Sequence, residues 1–369
     1  MNALRGEPVD RPAVNFYEIN GTEDVSGGDP FNIYSHPSWK PLIELARDKT
    51  DRTVMRSVPF RDKQPDPTAE LTATATEHDS RGNRFTTFTL RAGTRLLTRR
   101  TKRDPDINTV WTLEHLLKNE EDARAYLELP EPQFSGTPDI QKILELEREL
   151  GETGIVMIDT PDPLCMAAEL FSMEQFTVIA MTAPELFHRL LERFARLVQP
   201  RTEVVAKALP GRLWRIVGPE YAAPPYLPPH LFYEYVVKYD RPMVEAIQKH
   251  GGFARLHAHG RIKDILDHIA ATGCMGLDPI EPPPQGDVEL KYVREKYGDQ
   301  FVLFGNLEAN DLENLETADF MLKIERAVRE GASGKGRGFV LMPSACPYGR
   351  VLSRKTLANY EKMAAMIAQ

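Results

Sequence analysis

The sequence predicts an α/β protein that folds as a single TIM (β/α)8 barrel, with a β-hairpin insertion near residues 70–103. Three observations support this prediction. Eight short apolar segments have the length of buried strands, amphipathic helical patterns lie between most of them, and 369 residues are enough for one such barrel. A doubly wound open sheet is the alternative. Such a sheet normally carries a G-x-G-x-x-G turn, which this sequence lacks.

The eight predicted strands are spread over the whole chain, so we assign residues 1–369 to one domain. The strands are Ala13–Tyr17, Thr53–Val58, Ile155–Ile158, Arg212–Val217, Phe253–His257, Met275–Ile280, Phe301–Phe304 and Phe339–Met342. Between residues 70 and 103, Thr alternates with other residues around a turn signal at residues 79–83. This stretch is predicted as a β-hairpin or meander inserted into the barrel.

The helical segments carry start signals. Thr137 and Pro138 are predicted as the N-cap and first residue of one helix, and residues 182–185 as a capping box with Pro inside it. Further amphipathic helices are predicted at Arg261–Thr272, Asp287–Tyr297, Thr317–Arg329 and Ser353–Ala368. The glycine-rich stretch 333–338, which contains Lys335 and Arg337, lacks P-loop spacing and is predicted as a turn.

The overall charge argues against a nucleic-acid partner. The chain has 46 Lys and Arg residues against 54 Asp and Glu residues, a formal net charge of −8. The three Cys residues are far apart, so no disulfide framework is encoded. The first twelve residues lack the apolar segment of a signal peptide, and no apolar run approaches the ~18 residues of a membrane span. These features predict a cytoplasmic protein that does not use a membrane as a partner.

Proline clusters follow three of the predicted strands. They lie at Gly218–Pro229, Glu281–Pro284 and Met342–Pro347. In a barrel, the carboxyl ends of the strands form the catalytic face. We therefore expect these loops to form a stiff rim around the mouth of the barrel.

Two histidines lie on one face of the fifth predicted strand. Residues two apart in a strand point the same way, so Arg255, His257 and His259 face the barrel interior, and Leu256 and Ala258 face the helices. Two imidazoles at this spacing can bind one metal ion, most commonly zinc. Cys346, after the last strand, approaches the same mouth and is predicted as a third ligand. The alternative is that the histidines are structural and that Cys346 is a small buried apolar residue.

Several polar residues follow other strands at the same mouth. Glu220 is predicted as a fourth metal ligand or as an acceptor behind the ligands. Other side chains are expected to orient a substrate or a ligand histidine; these are Asp159, Tyr226, Asp278, Glu281, Asn306 and Glu308. Such residue types also form turns and helix caps, and that alternative stays open for each of them.

Segments near both ends of the chain resemble the uroporphyrinogen decarboxylase superfamily. The resemblance rests on Ala3–Val14, on the H-x-H-G pattern at residues 257–260, and on the closing pattern from Pro343-Ser344 to Asn359-Tyr360. Lys296, Gly298-Asp299 and Gly305-Asn306 add to it. The superfamily is built on a TIM barrel with its site at the carboxyl-terminal mouth, in agreement with the predicted strands.

The resemblance implies one of two activities. Decarboxylases of this superfamily carry an arginine-rich loop after the first strand, because uroporphyrinogen has eight carboxylates; here residues 16–23 contain no Arg and two Glu. The other branch resembles cobamide-dependent methyltransferases that hold zinc with His-x-Cys and a later Cys. His257, His259 and Cys346 occupy the corresponding positions, with His in place of the first Cys.

The resemblance therefore favours a zinc-dependent methyltransferase that moves a methyl group between a corrinoid and a thiol, methoxy or methylthio compound. Glu220 and Asp159 are the expected catalytic residues, and Tyr226, Asp278, Glu281 and Asn306 the expected substrate-binding residues. The expected partners are a small methyl donor or acceptor and a protein that carries the corrinoid (cobalamin), and a homodimer is compatible with the sequence. A uroporphyrinogen decarboxylase, with Asp159 or Tyr226 assisting protonation, is the alternative. A metal-dependent amidohydrolase and a barrel that only binds its ligand remain further alternatives.

Overall fold

An eight-stranded parallel sheet curls into a nearly closed barrel in the computed structural model, which describes residues 1–334, 336 and 338–366. The barrel strands are β1 (Ala13–Val14), β2 (Arg52–Arg56), β3 (Gly154–Pro161), β4 (Leu213–Val217), β5 (Phe253–His257), β6 (Gly276–Asp278), β7 (Val302–Leu307) and β8 (Phe339–Pro343). Their spatial order is β1-β8-β7-β6-β5-β4-β3-β2. The predicted TIM barrel and all eight predicted strands are confirmed.

Asp51 joins the two ends of this sheet. Its backbone N–H donates to the carbonyl of Val14 (2.8 Å), and its carboxylate accepts the N–H of Val14 (2.8 Å). Asp51 directly precedes β2, whereas Val14 lies in β1. A carboxylate and a peptide group therefore connect the two strands where the ladder of regular strand pairing ends.

Helices surround the barrel and pack on its outer face. Their bounds are α1 (Asn2–Arg5), α2 (Lys40–Lys49), α3 (Glu120–Leu127), α4 (Gln141–Leu150), α5 (Pro163–Ala168), α6 (Met173–Thr182), α7 (Pro184–Ala208), α8 (Pro229–Phe232), α9 (Lys238–Lys249), α10 (Leu266–Ala271), α11 (Leu290–Tyr297), α12 (Ala309–Asn314), α13 (Thr317–Gly331) and α14 (Arg354–Ala365). Within the described residues, no helix is both long and apolar enough to cross a membrane.

The strands separate an outer core from an inner core. Leu256 and Ala258 belong to the large apolar cluster that the strands share with the helices. Met157, Leu213 and Phe304 belong to a smaller cluster inside the barrel. This alternation confirms that Leu256 and Ala258 face the helix layer, and it directs the residues between them toward the interior.

The insertion between β2 and β3 is larger than a hairpin. Its four antiparallel strands cover Thr72–His78, Arg84–Ala92, Arg95–Arg103 and Val110–Glu114. The first three confirm the predicted meander. The fourth, Val110–Glu114, extends the sheet beyond the predicted boundary.

Two predicted helix starts are wrong. Thr137 and Pro138 form a short strand antiparallel to Phe60–Arg61, and α4 begins only at Gln141. Thr182 is the last residue of α6, where its hydroxyl donates to the carbonyl of Val178, and Ala183 caps α7 without a side-chain hydrogen bond. In both places, contacts to other residues outcompete the local capping signal. Lys335 and Arg337, in the predicted turn, lie outside the described residues.

Candidate active site

The end of β5 places two histidine rings side by side at the mouth of the barrel. The ring centroids of His257 and His259 lie 4.6 Å apart, and their planes are nearly perpendicular at 89°. His257 is almost completely buried, whereas His259 is partly open to solvent. The strand thus presents one ring inside the barrel and the other at its rim.

Each histidine is oriented by a carboxylate from the end of β6. Asp278 Oδ2 lies 2.8 Å from His257 Nδ1, and Glu281 Oε1 lies 2.9 Å from His259 Nδ1. The second carboxylate oxygen of Glu281 accepts the Gly260 N–H at 2.7 Å. Both Nδ1 atoms have carboxylate partners, so the Nε2 atom of each ring is the one that can bind a proton or a metal ion. This arrangement is typical of ligand histidines.

The rim histidine and its partner form an ion pair. Burial lowers the pKa of His259, but the hydrogen bond and the charge of Glu281 outweigh it, so the pKa lies above its ordinary value. Burial raises the pKa of Glu281, and the contact with His259 outweighs this effect and lowers the pKa below its ordinary value. The two shifts agree in favouring the charged forms.

Two arginine–aspartate pairs lie deeper in the barrel. Arg215 Nε donates to Asp159 at 2.6 Å, and Arg255 Nε lies 3.0 Å from Asp278 Oδ1 without the alignment of a hydrogen bond. Burial raises the pKa of Asp278, but the charges of Arg255 and His257 outweigh it and lower the pKa to about 2. The interior therefore pairs buried aspartate side chains with buried guanidinium groups.

Tyr17 connects these layers. Its hydroxyl accepts a hydrogen bond from Arg215 Nη1 at 2.6 Å, and its ring stacks on His257 with centroids 6.1 Å apart. Asp159, on the other side of Arg215, holds the guanidinium from β3. The orientation of His257 thus depends on Tyr17, which follows β1, and on residues of β3, β4 and β6.

Cys346 lies next to the loop that follows β1. Its Sγ atom accepts the Glu18 N–H at 3.2 Å and lies 3.5 Å from the Phe16 carbonyl. Burial, and then the charge of Glu18, raise the pKa of the thiol. Backbone groups therefore hold Cys346, and its raised pKa favours the protonated thiol.

The predicted zinc ligands fit a metal ion only in part. His257 and His259 have the donor chemistry and the carboxylate partners of zinc ligands. Across the residues that the structure describes, no group of three or more His, Cys, Asp or Glu side chains is arranged to hold a metal ion. Two of the three residues thus suit the ion, and Cys346 is not grouped with them.

A cavity of about 520 Å³ opens above His259, and we call it the mouth cavity. Its walls come from the ends of several strands and from α6 and α12; the lining side chains include Met173, Glu220, Tyr221, Tyr226, His259, Glu281 and Glu308. The loop after β4 folds back on itself, because Glu220 Oε2 accepts the Gly218 N–H at 3.0 Å. Three carboxyl groups and two phenol rings therefore surround the rim histidine.

The residues predicted from sequence fall into separate layers. Glu220, Tyr226, His259 and Glu281 meet in the mouth cavity. The more deeply placed residues are His257, Asp278 and Asp159, of which Asp278 is 0% exposed. Asn306 lines a smaller neighbouring cavity of about 60 Å³, where it lies with Leu307 and Glu308.

Tyr17 and Arg215 are not among the site residues predicted from the sequence. Arg215 carries a visible signal, since it is a charged residue inside an otherwise apolar strand. Tyr17 carries no such signal. Its importance arises from the contact with Arg215, which lies 198 positions away in the chain.

Comparisons with known proteins agree with this architecture. A family model described as uroporphyrinogen decarboxylase (URO-D) matches residues 112–363. No curated protein matches the chain. Among solved structures, a methyltransferase from Methanosarcina mazei is similar, with a TM-score of 0.59 and 15% sequence identity. This similarity covers 99% of this chain and 97% of that chain, and it shows that the two share a fold.

Proposed function

The chain belongs to the uroporphyrinogen decarboxylase family, and from this premise we propose that it is a methyltransferase acting on a small methylated compound. The observation that carries the proposal is the charge of the mouth cavity. Glu220, Glu281 and Glu308 line it, and no Lys or Arg is among its described lining residues. A substrate with eight carboxylates needs cationic partners, so this cavity disfavours the decarboxylase alternative.

The size of the mouth cavity also favours a methyltransferase with a small substrate over the decarboxylase. Its volume of about 520 Å³ lies within the usual range for small-molecule sites. The shared fold with a methyltransferase is compatible with methyl transfer. We propose that a corrinoid, as the methyl carrier, is presented by a separate protein that docks at the open mouth.

The residues of this chain have distinct roles in the proposal. Glu220 and Tyr226 contact the substrate in the mouth cavity, and Glu281 orients the ring of His259 through its Nδ1 atom. Asp278, Asp159 and Arg215 act through His257 by fixing its ring, so they are positioning residues. Asn306 supports the wall next to Glu308.

Zinc is the metal that we propose for this site. His257 and His259 would hold it through their Nε2 atoms, with Glu220 close to the site. Cys346, the third ligand predicted from the sequence, would have to leave its backbone partners at Glu18 and Phe16 to join them. When bound, zinc lowers the pKa of a thiol or alcohol and so supplies a nucleophile at neutral pH.

Methyl transfer can be tested with free cob(I)alamin as acceptor. Methanol, methylamines, dimethyl sulfide and methoxybenzene serve as donors, and methylcobalamin formation is followed by absorbance. We expect turnover with at least one donor, and about a 10–100-fold lower kcat/KM for Glu281→Gln, because this variant frees His259 from its carboxylate. His78→Ala, on the exposed insertion strand, is the control. Loss of carboxyl groups from uroporphyrinogen, without any methyl transfer, would contradict the proposal.

Metal content gives a separate prediction. We expect zinc to copurify with the wild type after growth in zinc-supplemented medium, and to be lost from His257→Ala, His259→Ala and Cys346→Ala. Cys165→Ala, in α5, is the matched cysteine control. Zinc is measured by atomic absorption after dialysis. A wild type that binds zinc no better than His257→Ala would end the zinc proposal and leave methyl transfer to be judged by its own assay.

A further inference from the structure

We infer that the mouth cavity takes a methylated cation, such as a quaternary ammonium or sulfonium compound, as the methyl donor. This inference rests on the proposed function and names its substrate class. It follows from the acidic lining, from one carboxyl oxygen without a partner, and from the aromatic walls of the same cavity.

The charges in the mouth cavity do not balance. His259 is the basic side chain among the described lining residues, and it is already matched by Glu281 at 2.9 Å. Among the described residues, Glu220 accepts only a neutral backbone N–H, from Gly218. Glu308 adds a third carboxyl group to the same wall. The carboxyl groups of the cavity can therefore balance one further positive charge, carried by a ligand.

Glu308 is the residue that points most directly to a cationic ligand. The residue is only 7% exposed, and among the described residues its Oε1 atom has no hydrogen-bond partner. Burial, and then the charges of Glu281 and Asp311, raise its pKa to about 8. A buried carboxyl group without a partner is costly, and a cation in the cavity would compensate its ionised form.

The remaining walls suit alkyl groups on such a cation. Tyr221, Tyr226 and Met173 line the cavity beside the carboxyl groups. Tyr226 is 45% exposed, so its ring is accessible from the mouth. Aromatic faces attract quaternary ammonium groups through the ring quadrupole, and carboxylates add the opposite charge.

Zinc would not reverse this preference. An ion held by two neutral imidazoles and one thiolate has a net charge of +1. Glu281 and Glu220 together contribute −2, and Glu308 adds to this once it ionises. The cavity is therefore anionic with or without the metal.

A cationic donor also suits methyl transfer chemically. The nucleophile, either cob(I)alamin or a thiolate, forms a bond to the methyl carbon while the carbon–nitrogen or carbon–sulfur bond breaks. The electron pair of that bond stays on nitrogen or sulfur, so the product forms as a neutral tertiary amine or thioether. No further oxidant or reductant is required; the thioether stays neutral, whereas the amine takes up a proton from water at neutral pH.

The test compares choline with its uncharged isostere 3,3-dimethylbutan-1-ol by isothermal titration calorimetry at 0.15 M NaCl. We expect choline to bind at least about 10-fold more tightly, because only choline carries the charge. Glu220→Gln and Glu308→Gln should weaken choline binding and leave the isostere unchanged. Glu152→Gln, an exposed residue outside the cavity, is the matched control.

Proton release provides a second readout. Titrations at pH 7 in two buffers of different ionisation enthalpy should show a proton released when choline binds the wild type, and none with Glu308→Gln. Equal affinity for choline and the isostere, or no detectable choline binding, would overturn the inference. Turnover of methanol without choline binding would overturn it and leave the proposed function intact. Choline binding without methyl transfer from any donor would confirm the cation site, but it would overturn the proposed function and the role of the cation as methyl donor.

Discussion

Replacing Asp278 by Asn is expected to lower the free energy of unfolding by about 3–5 kcal/mol. Asp278 is completely buried and faces two groups at once, with Arg255 Nε at 3.0 Å and His257 Nδ1 at 2.8 Å. Arg255 is itself buried and has no other carboxylate at ion-pair distance within the described residues. Removing the carboxylate therefore leaves a guanidinium charge uncompensated inside the barrel.

Urea denaturation at pH 7, followed by circular dichroism, measures this loss. Asp106→Asn is the matched control, because its carboxylate forms an ion pair with Arg350 while staying 78% exposed, and such pairs contribute about 0–1 kcal/mol. The double variant Arg255→Met/Asp278→Asn removes both charges and should recover a large part of the loss. A loss below about 1 kcal/mol for Asp278→Asn alone, or no recovery in the double variant, would show that the pair does not carry this stability.

The sequence predicts the barrel well because its signals are local. Strand composition and a period of two are sufficient to place Leu256 and Ala258 against the helices and His257 inside. The same period predicts that His257 and His259 lie together. These predictions depend on neighbouring residues of one strand, and backbone geometry fixes their relation.

Other features depend on which distant segments meet. Thr137 has a side chain suited to capping a helix, but it pairs with Phe60–Arg61 in a short antiparallel strand instead. Cys346 follows the strand that was expected to bring it to the histidines, yet its Sγ atom contacts the backbone of Glu18. Such outcomes depend on loop paths and side-chain reach, which no spacing along the chain encodes.

The carboxyl groups of Asp162 and Asp240 form another feature that depends on distant segments, since the two residues are 78 positions apart in the chain. Asp162 follows β3 and caps α5 by accepting the Cys165 N–H at 2.5 Å, whereas Asp240 lies in α9. Both are completely buried. Burial, and then the charge of Asp240, raise the pKa of Asp162 well above its ordinary value; burial and the charge of Glu220 raise the pKa of Asp240.

These shifts make stability depend on pH in a defined direction. Because the folded pKa values are raised, the folded chain keeps a proton on the pair to higher pH than the unfolded chain, which releases it above about pH 4. The stabilisation is therefore fully present below the ordinary carboxyl pKa and is lost as the pH rises through the raised pKa. The slope for one such proton is on the order of 1 kcal/mol per pH unit.

Asp240→Asn is expected to flatten this slope between pH 6 and 9 and to stabilise the protein at the alkaline end. The asparagine amide can donate a hydrogen bond to Asp162, which then stays ionised as the cap of α5 without sharing a proton. The measurement is the free energy of unfolding in urea at each pH, with Asp106→Asn as the exposed control. Parallel pH profiles for Asp240→Asn and the wild type would show that the pair does not hold the extra proton, because that proton is the only source of the predicted difference in slope.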